Sequence, residues 1–166
     1  MMVFMRILAI DPGYQRLGIA IIEKEVRGKE TLVHSECFET DKKLPHAERL
    51  SLVAKRLAEV ITKYKPEAVA LETLFFSTNQ KTAIKVAEVR GVILSEAARA
   101  HLATYEYNPM QVKVAVTGYG KSDKDQVMFM TKKLLRVDKE ALDDEYDAMA
   151  IGLTCLATER FSSLSN

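Results

Sequence analysis

The sequence Arg6-Ile7-Leu8-Ala9-Ile10-Asp11-Pro12-Gly13 is a short apolar run that ends in an acid and two turn-forming residues. An apolar run of this length is typical of a strand that is buried on both faces. Proline lacks a backbone donor and glycine permits positive φ, so the extended chain is expected to end here. The pattern predicts a buried first strand over residues 5–10, with Asp11 at its carboxyl end.

Further strand patterns follow, first close together and then alternating with helical ones. The predicted strands are residues 5–10, 17–22, 30–39, 67–72 and 104–107. The predicted helices are residues 45–64, residues 79–101 and a short stretch at 110–116. A further helix is predicted to begin at Ser122, with Asp125 as its capping-box partner. The last helix is predicted to run from Asp143 or Asp144 to about Arg160. Apart from the short stretch, the order is β-β-β-α-β-α-β-α-α. The predicted fold class is therefore α/β: a five-stranded mixed sheet, made of a three-strand antiparallel meander plus parallel strands, with helices on both faces.

The chain has 166 residues, of which 48% are apolar and 28% charged, and its net charge is +1. Residues 1–166 are predicted to form a single domain, with residues 1–4 as an additional N-terminal segment. The near-neutral charge excludes a generally polycationic protein, so any nucleic-acid surface must be local. The N-terminal residues show neither a membrane span nor a signal-peptide pattern, and the two cysteines form no metal or redox motif. These features predict a cytoplasmic protein without a membrane partner.

Four acidic residues, Asp11, Glu72, Asp144 and Asp147, occupy positions that the predicted fold brings to one edge of the sheet. Asp11 and Glu72 each end a buried strand, and the ligands of open α/β sheets gather beyond such strand ends. Asp144 and Asp147 are three residues apart and therefore share one face of the last helix. Carboxylates that converge repel one another unless divalent cations neutralise them, which predicts metal-dependent phosphate chemistry.

Three of the four acids, taken alone, also have a structural explanation. Asp11 before Pro-Gly suits a turn, Asp144 suits a helix N-cap, and Asp147 suits the first helical turn, where the helix dipole favours acids. Glu72 is different because a glutamate after a buried apolar run is rarely needed for folding. For the four together, a functional role is preferred.

Several short motifs follow one another along the chain: Ile10-Asp11-Pro12-Gly13 with Gly18, Leu71-Glu72-Thr73-Leu74-Phe75-Phe76 with Asn79, Ala87-Glu88-Val89-Arg90-Gly91, Gln111-Val112-Lys113, Gly118-Tyr119-Gly120 with Lys124, and Asp144-Glu145-Tyr146-Asp147-Ala148-Met149-Ala150. In their order and separations these motifs resemble those of the RuvC Holliday-junction resolvases, which have an RNase H-like fold. Each motif is weak alone, but the set covers essentially the whole chain after Met5 and is highly specific.

The resemblance implies that the four carboxylates bind two Mg²⁺ ions per active site, with Mn²⁺ as an alternative. Asp143 competes with Asp144 for its role, and the three-residue spacing to Asp147 favours Asp144. The resemblance also implies that Lys113 lies close to the scissile phosphate, as a further catalytic residue, and that Phe75 stacks on a base. The residues expected to contact DNA are Phe75, Lys113, Lys124, Lys121, Tyr119 and Asn79.

The implied function is a structure-selective endonuclease that resolves four-way DNA junctions by paired symmetric nicks in recombination and repair, leaving 5′-phosphate and 3′-hydroxyl ends. The family acts as a homodimer beside the RuvA–RuvB branch-migration complex, so both are implied partners. Two alternatives stay open: a related RNase H-like nuclease of the YqgF type that acts on RNA, and a non-catalytic junction-binding module. Phe75 and the pair Lys113 and Lys124 favour the resolvase over the RNA nuclease. The four acids argue against the module, because carboxylates that face phosphates weaken binding when no metal is bound.

Overall fold

The structure is a computed structural model that describes residues 4–73 and 80–161. The strands are β1 (Phe4–Asp11), β2 (Arg16–Glu25), β3 (Glu30–Glu39), β4 (Ala68–Glu72) and β5 (Ala103–Tyr107). The helices are α1 (His46–Tyr64), α2 (Gln80–Arg99), α3 (Pro109–Thr117), α4 (Lys124–Leu135) and α5 (Asp143–Thr158). None of the helices within these described ranges is long and apolar enough to cross a membrane.

The five strands form one mixed sheet in the order β3-β2-β1-β4-β5, which confirms the predicted fold class. The first three strands are the antiparallel meander, whereas β1 with β4 and β4 with β5 are parallel pairs. Parallel neighbours need a crossover connection, which α1 provides before β4 and α2 provides before β5. The parallel register sets Ile10 beside Leu71. Asp11 and Glu72, one residue further along each strand, therefore leave the sheet at the same edge.

Helices cover both faces of the sheet because alternate strand residues point to opposite faces. Ile7 and Ala9 belong to the core that packs against α3, α4 and α5. Leu8 and Ile10 belong to the core that packs against α1 and α2. α5 is buried along most of its length. Gly152 lets α5 approach closely, since a Cβ atom there would lie 3.1 Å from the Cβ of Ala9.

The segment at 110–116, predicted as a short helical stretch, is a complete helix, α3. Asn108 caps its start, because the Asn108 side chain accepts a hydrogen bond from the backbone N–H of Gln111 at 2.9 Å. Gly118 ends the helix in the left-handed conformation, with φ of 78°. Three helices therefore follow β5, and α3 brings a separate surface toward α5.

The predicted capping box of the next helix, Ser122 with Asp125, is wrong by one residue. Asp123 accepts a hydrogen bond from the backbone of Gln126 at 2.8 Å, and the Gln126 side chain accepts one from the backbone of Asp123 at 3.0 Å. A glutamine reaches back to the cap more easily than the shorter Asp125 can. Ser122 instead donates to the carbonyl oxygen of Tyr119 at 2.7 Å.

Candidate active site

The first turn of α5 rests directly against the start of the meander. Asp11, the last residue of β1, pairs across the sheet with Gly18 of β2. A Cβ atom built on Gly18 would lie 2.0 Å from the carbonyl oxygen of Asp144 and 3.2 Å from the Cβ of Asp11. That space cannot hold a side chain, so glycine is what allows α5 to come this close. The contact brings Asp144 beside Asp11, while Glu72 ends the neighbouring strand β4.

Three of the four carboxylates, Asp11, Glu72 and Asp147, have a raised pKa. Burial, followed by the charges of Asp147, Glu72 and Asp144, raises the pKa of Asp11 to about 7. Burial and the charge of Asp147 raise the pKa of Glu72. Burial also raises the pKa of Asp147, against the opposing effect of Lys124. The structure therefore brings all four predicted acids into one group. Within it, the negative charge of one carboxylate opposes the ionisation of a neighbour.

Asp143 and Asp144 have different surroundings, although they are adjacent in sequence. The Asp143 side chain is 62% exposed and its Oδ2 atom lies 3.5 Å from the Nζ atom of Lys124. The Asp144 side chain is 19% exposed, and its Oδ2 atom lies 3.1 Å from the Nη2 atom of Arg16. The thiol of Cys37 also lies 3.9 Å from this carboxylate. Asp144 is thus the aspartate that faces the group, and Arg16 is a charged neighbour that the sequence did not reveal.

A cavity of about 150 Å³ opens beside two of the acids, Glu72 and Asp147. Lys124, at the start of α4, lines this cavity, and its Nζ atom lies 3.5 Å from the Oδ2 atom of Asp147. The remaining lining residues are apolar: Val112, Val127, Ala150 and Ile151. The cavity thus joins negative charge, one ammonium group and an apolar wall, a combination that suits a phosphate held next to bound cations.

The donor set consists of carboxylate oxygens, which are the ligands that hard divalent cations such as Mg²⁺ prefer. Within residues 4–73 and 80–161, no three acidic, histidine or cysteine side chains already converge on a point where they could hold a metal ion. Lys124 lies against Asp147 instead. The residues therefore fit a divalent cation in chemistry and in charge, and the side chains must turn toward the ion for it to bind.

Glu145 fixes the start of α5 to the rest of the protein. Its carboxylate accepts hydrogen bonds from the Ser35 hydroxyl at 2.8 Å, the Lys139 ammonium at 3.0 Å and the backbone N–H of Leu142 at 3.0 Å. Lys139 also donates to the carbonyl oxygen of Ser35 at 3.0 Å. Burial works to raise the pKa of Glu145, but these contacts outweigh it, and the pKa lies below its usual value. The network sets the position of Asp144 and Asp147 through the helix that carries them.

Glu145→Gln is expected to lower the free energy of unfolding by about 1.5–3 kcal/mol, the range for hydrogen bonds to a charged group. A lowered pKa in the folded state means that this stability is present above the ordinary pKa of glutamate and is lost as the pH falls through the folded-state value. Urea unfolding of both proteins at neutral and at acid pH measures the difference. Glu140→Gln, an exposed acid nearby, is the control; equal destabilisation by both substitutions would contradict the role of the network.

Four of the six residues predicted to contact DNA are distributed over α3, α4 and the loop between them. Tyr119 is 59% exposed in this loop and Lys121 is exposed beside it. Lys113 is half-buried on α3, and the described residues that line the cavity do not include it. Lys124 is therefore the predicted contact that the structure places against the acids. Phe75 and Asn79 lie outside the described residues.

Comparison with known proteins places the chain among nucleases of one family. The model of the family described as Crossover junction endodeoxyribonuclease RuvC matches residues 7–155. The RuvC of Thermosipho melanesiensis is 44% identical over 156 residues, which cover 93% of this chain and 98% of that protein. The RuvC of Halothermothrix orenii is 43% identical over 150 residues, with 90% of each chain covered.

Solved structures give the same result. The structure of T. thermophilus RuvC in complex with a Holliday junction substrate superposes with a TM-score of 0.87 at 35% identity, and the match covers 92% of this chain and 93% of that one. The yeast mitochondrial Holliday junction resolvase shares the fold, with a TM-score of 0.65 at 11% identity. The matched family region extends from β1 to α5 and contains all four carboxylates. The chain belongs to the RuvC family of crossover junction endodeoxyribonucleases.

Proposed function

We propose that this chain resolves four-way DNA junctions by metal-dependent hydrolysis, with Asp11, Glu72, Asp144 and Asp147 as the metal-binding residues. The observation that carries the proposal is the convergence of these acids. Burial of Asp11 and repulsion from the three other carboxylates raise its pKa to about 7. A bound cation stabilises a group of closely spaced carboxylates, because its positive charge offsets their mutual repulsion. The likeness to a RuvC solved with a Holliday junction substrate supports the choice of DNA.

The proposed reaction is hydrolysis of a phosphodiester. A water oxygen forms a bond to phosphorus while the bond from phosphorus to the 3′ oxygen breaks, which leaves 5′-phosphate and 3′-hydroxyl ends. Bound Mg²⁺ or Mn²⁺, two ions per site, supplies charge neutralisation and lowers the pKa of water. The carboxylates hold these ions, and Lys124 and Lys113 bind the phosphate oxygens. The cavity wall beside Lys124 also includes the apolar side chains of Val112 and Ile151.

The DNA-binding surface that we propose runs over α3, α4 and their loop. Lys121, Lys124 and Tyr119 are exposed there, and Lys124 also lines the cavity beside Glu72 and Asp147. Lysines that neutralise backbone phosphates give an affinity that falls steeply as salt is added. Stacking of Phe75 on a base and contact of Asn79 with DNA complete this proposal.

We infer that two copies of the chain act together, because a four-way junction has two equivalent strands to cut and a twofold dimer supplies two matched sites. α2 carries an exposed stripe of small and apolar residues, formed by Ile84, Ala87, Gly91 and Ala98. Ala83, next to Ile84 in sequence, is 5% exposed and is buried within the chain itself, so it does not belong to this stripe. The exposed stripe is the surface that we assign to the second copy.

Ile84→Glu is expected to weaken the dimer by at least about tenfold, because each copy would bury a charge against the same charge on its partner. Ile84 is 58% exposed, so the substitution leaves the fold of the monomer intact. Sedimentation velocity over a range of protein concentrations measures the change. Leu52→Glu, at an apolar position on α1 that is 38% exposed, is the matched control. Equal dimer affinity in both variants would show that α2 does not form the interface.

The proposal extends to the setting in which the enzyme works. Its substrate is recombining DNA, so we place its action in the cytoplasm. The family resemblance also points to the RuvA–RuvB branch-migration complex as a partner. Co-purification of the chain with that complex on junction DNA, compared with purification without junction DNA, tests this association.

The direct test incubates the protein and Mg²⁺ with a labelled four-way junction, a linear duplex of the same sequence and an RNA–DNA hybrid. Paired symmetric nicks in the junction, with 5′-phosphate and 3′-hydroxyl ends, are the expected result. Tight binding to the junction without cutting in any divalent metal would favour a non-catalytic module. Cutting of the hybrid instead would move the chain to the RNA-processing nucleases of the same fold.

A further inference from the structure

A buried arginine on α2 holds the end of the strand that carries Glu72. Arg90 is 8% exposed, and its Nη1 atom donates a hydrogen bond to the carbonyl oxygen of Glu72. Its Nη2 atom lies 2.9 Å from the Oε2 atom of Glu106 on β5. One guanidinium group therefore connects α2, β4 and β5 at the edge of the sheet where the acids converge.

Glu72 needs such a contact because the strand pairing around it is incomplete. The ladder between β1 and β4 ends at the pair Ile10 and Leu71, one residue before Glu72. On the other side, Glu72 pairs with Tyr107, and the backbone N–H of Thr73 donates to the carbonyl oxygen of Tyr107 at 2.8 Å. The carbonyl of Glu72 is held by Arg90. This bond fixes the last peptide of β4, and with it the direction in which the Glu72 side chain leaves the strand.

The ion pair alone does not explain why an arginine occupies this position. The Glu106 side chain is 37% exposed, and half-exposed ion pairs contribute little to stability. Burying a guanidinium group is costly, and an apolar side chain of similar volume would often serve the core equally well. What the guanidinium adds is a planar pair of donors that can bind a carbonyl and a carboxylate at fixed angles.

We propose that Arg90 is a positioning residue for Glu72, which it orients through the backbone carbonyl while Glu106 holds the guanidinium in place. This inference rests on the proposed function, because it takes Glu72 to be a metal-binding residue. Arg90 acts on the metal site through Glu72 and makes no contact with the substrate in this scheme.

The test measures Mn²⁺ affinity by electron paramagnetic resonance at about pH 8, above the pKa of Asp11 of about 7. Arg90→Met is expected to weaken Mn²⁺ binding roughly 10–100-fold, the usual effect of losing a group that orients a ligand. In a Glu72→Gln background the same substitution is expected to have almost no further effect, because its target is already gone. Arg90→Lys is expected to restore little affinity, since one ammonium group cannot make both contacts.

The matched control is Arg56→Met, which removes another arginine that bridges a helix to the sheet. Arg56 of α1 binds the Glu36 carboxylate on β3 through two hydrogen bonds of 2.9 Å and 3.0 Å. Its loss is expected to leave Mn²⁺ affinity unchanged. Where Arg90→Met does not fold, as judged by circular dichroism, Glu106→Gln takes its place. That variant is expected to weaken Mn²⁺ binding in the same direction, again only when Glu72 is present.

Two results would overturn the positioning role while leaving the proposed function intact. The first is a wild-type protein that binds Mn²⁺ and cuts junctions, together with Arg90 variants of unchanged Mn²⁺ affinity. The second is an equal weakening with and without Glu72, since that would mean that Arg90 acts by another route. A wild-type protein that binds no Mn²⁺ and cuts no junction would overturn the proposed function and this inference together.

Discussion

Asp11→Asn is expected to reduce the rate of junction cleavage by at least roughly 10³-fold, because losing several kcal/mol of metal-based stabilisation converts to a factor of that size. Asp11 lies between Glu72 on β4 and Asp144 on α5, and its pKa responds to the charges of the three other acids. An amide of the same shape keeps the fold but removes the charge. Single-turnover cleavage of a four-way junction in Mg²⁺ measures the effect.

The same substitution is expected to stabilise the metal-free protein at about pH 8 by about 1–3 kcal/mol, below the limit of about 4 kcal/mol that the pKa shift sets. The folded state raises the pKa of Asp11 from 3.8 to about 7, so its stability falls as the pH rises between those values. The neutral amide avoids this loss. Urea unfolding in a chelating buffer measures the gain, which is expected to vanish at about pH 4, where Asp11 is largely protonated in the folded protein.

Asp143→Asn is the control for both measurements. Asp143 is adjacent to the group in sequence but its side chain is 62% exposed. This variant is expected to keep most of the cleavage activity and to show no comparable stabilisation at alkaline pH. If Asp143→Asn abolished cleavage while Asp11→Asn retained it, the assignment of the acids would be wrong.

Gly18→Ala is expected to cost about 3 kcal/mol or more of folding free energy, at the upper end of what overpacking does. The added Cβ atom would meet the backbone of Asp144, with the carbonyl oxygen at 2.0 Å and the carbonyl carbon at 2.6 Å. Backbone atoms cannot swing aside as the end of a side chain can, so the first turn of α5 must move. We expect divalent-cation binding to weaken along with stability, because the shift carries Asp144 and Asp147 away from Asp11.

Gly120→Ala is the matched control, since its Cβ atom would meet only the side chains of Met110 and Val114, both at 3.3 Å. These side chains are 65% and 50% exposed and can move, so a change within about 0.5 kcal/mol is expected. Chemical denaturation of both variants gives the comparison. A Gly18→Ala protein as stable as the control, with its Mn²⁺ affinity intact, would refute the close approach of α5 to β2.

The strands and the first two acids follow from local patterns in the sequence. Asp11 and Glu72 are recognisable because each follows a buried apolar run, and parallel pairing then brings such strand ends together. The placement of helices on both faces of the sheet follows from the alternation of strand-type and helix-type spacing of apolar residues along the chain. The capping box at Asp123 and Gln126 had a local signal as well, because an acid followed three residues later by glutamine fits the motif better than Ser122 with Asp125 does.

The contacts that orient the acids could not be predicted in the same way. Glu145 binds Ser35, which is 110 residues away, and Arg90 binds the carbonyl of Glu72 across a helix and a strand. No spacing rule links such residues, since their proximity arises only after the sheet has formed. Glu145 in the first turn of a helix is explained by the helix dipole alone, so its hydrogen bond to β3 has no local signature.

The most direct measurement is a Mn²⁺ titration of the wild-type protein and of Asp11→Asn, followed by electron paramagnetic resonance at about pH 8, where Asp11 is ionised. If the four carboxylates form the metal site, the wild-type protein binds Mn²⁺ and Asp11→Asn binds it at least about tenfold more weakly, a loss of about 1.4 kcal/mol or more. Equal affinity in the two proteins, or no binding by the wild type, would contradict a metal site at this edge of the sheet.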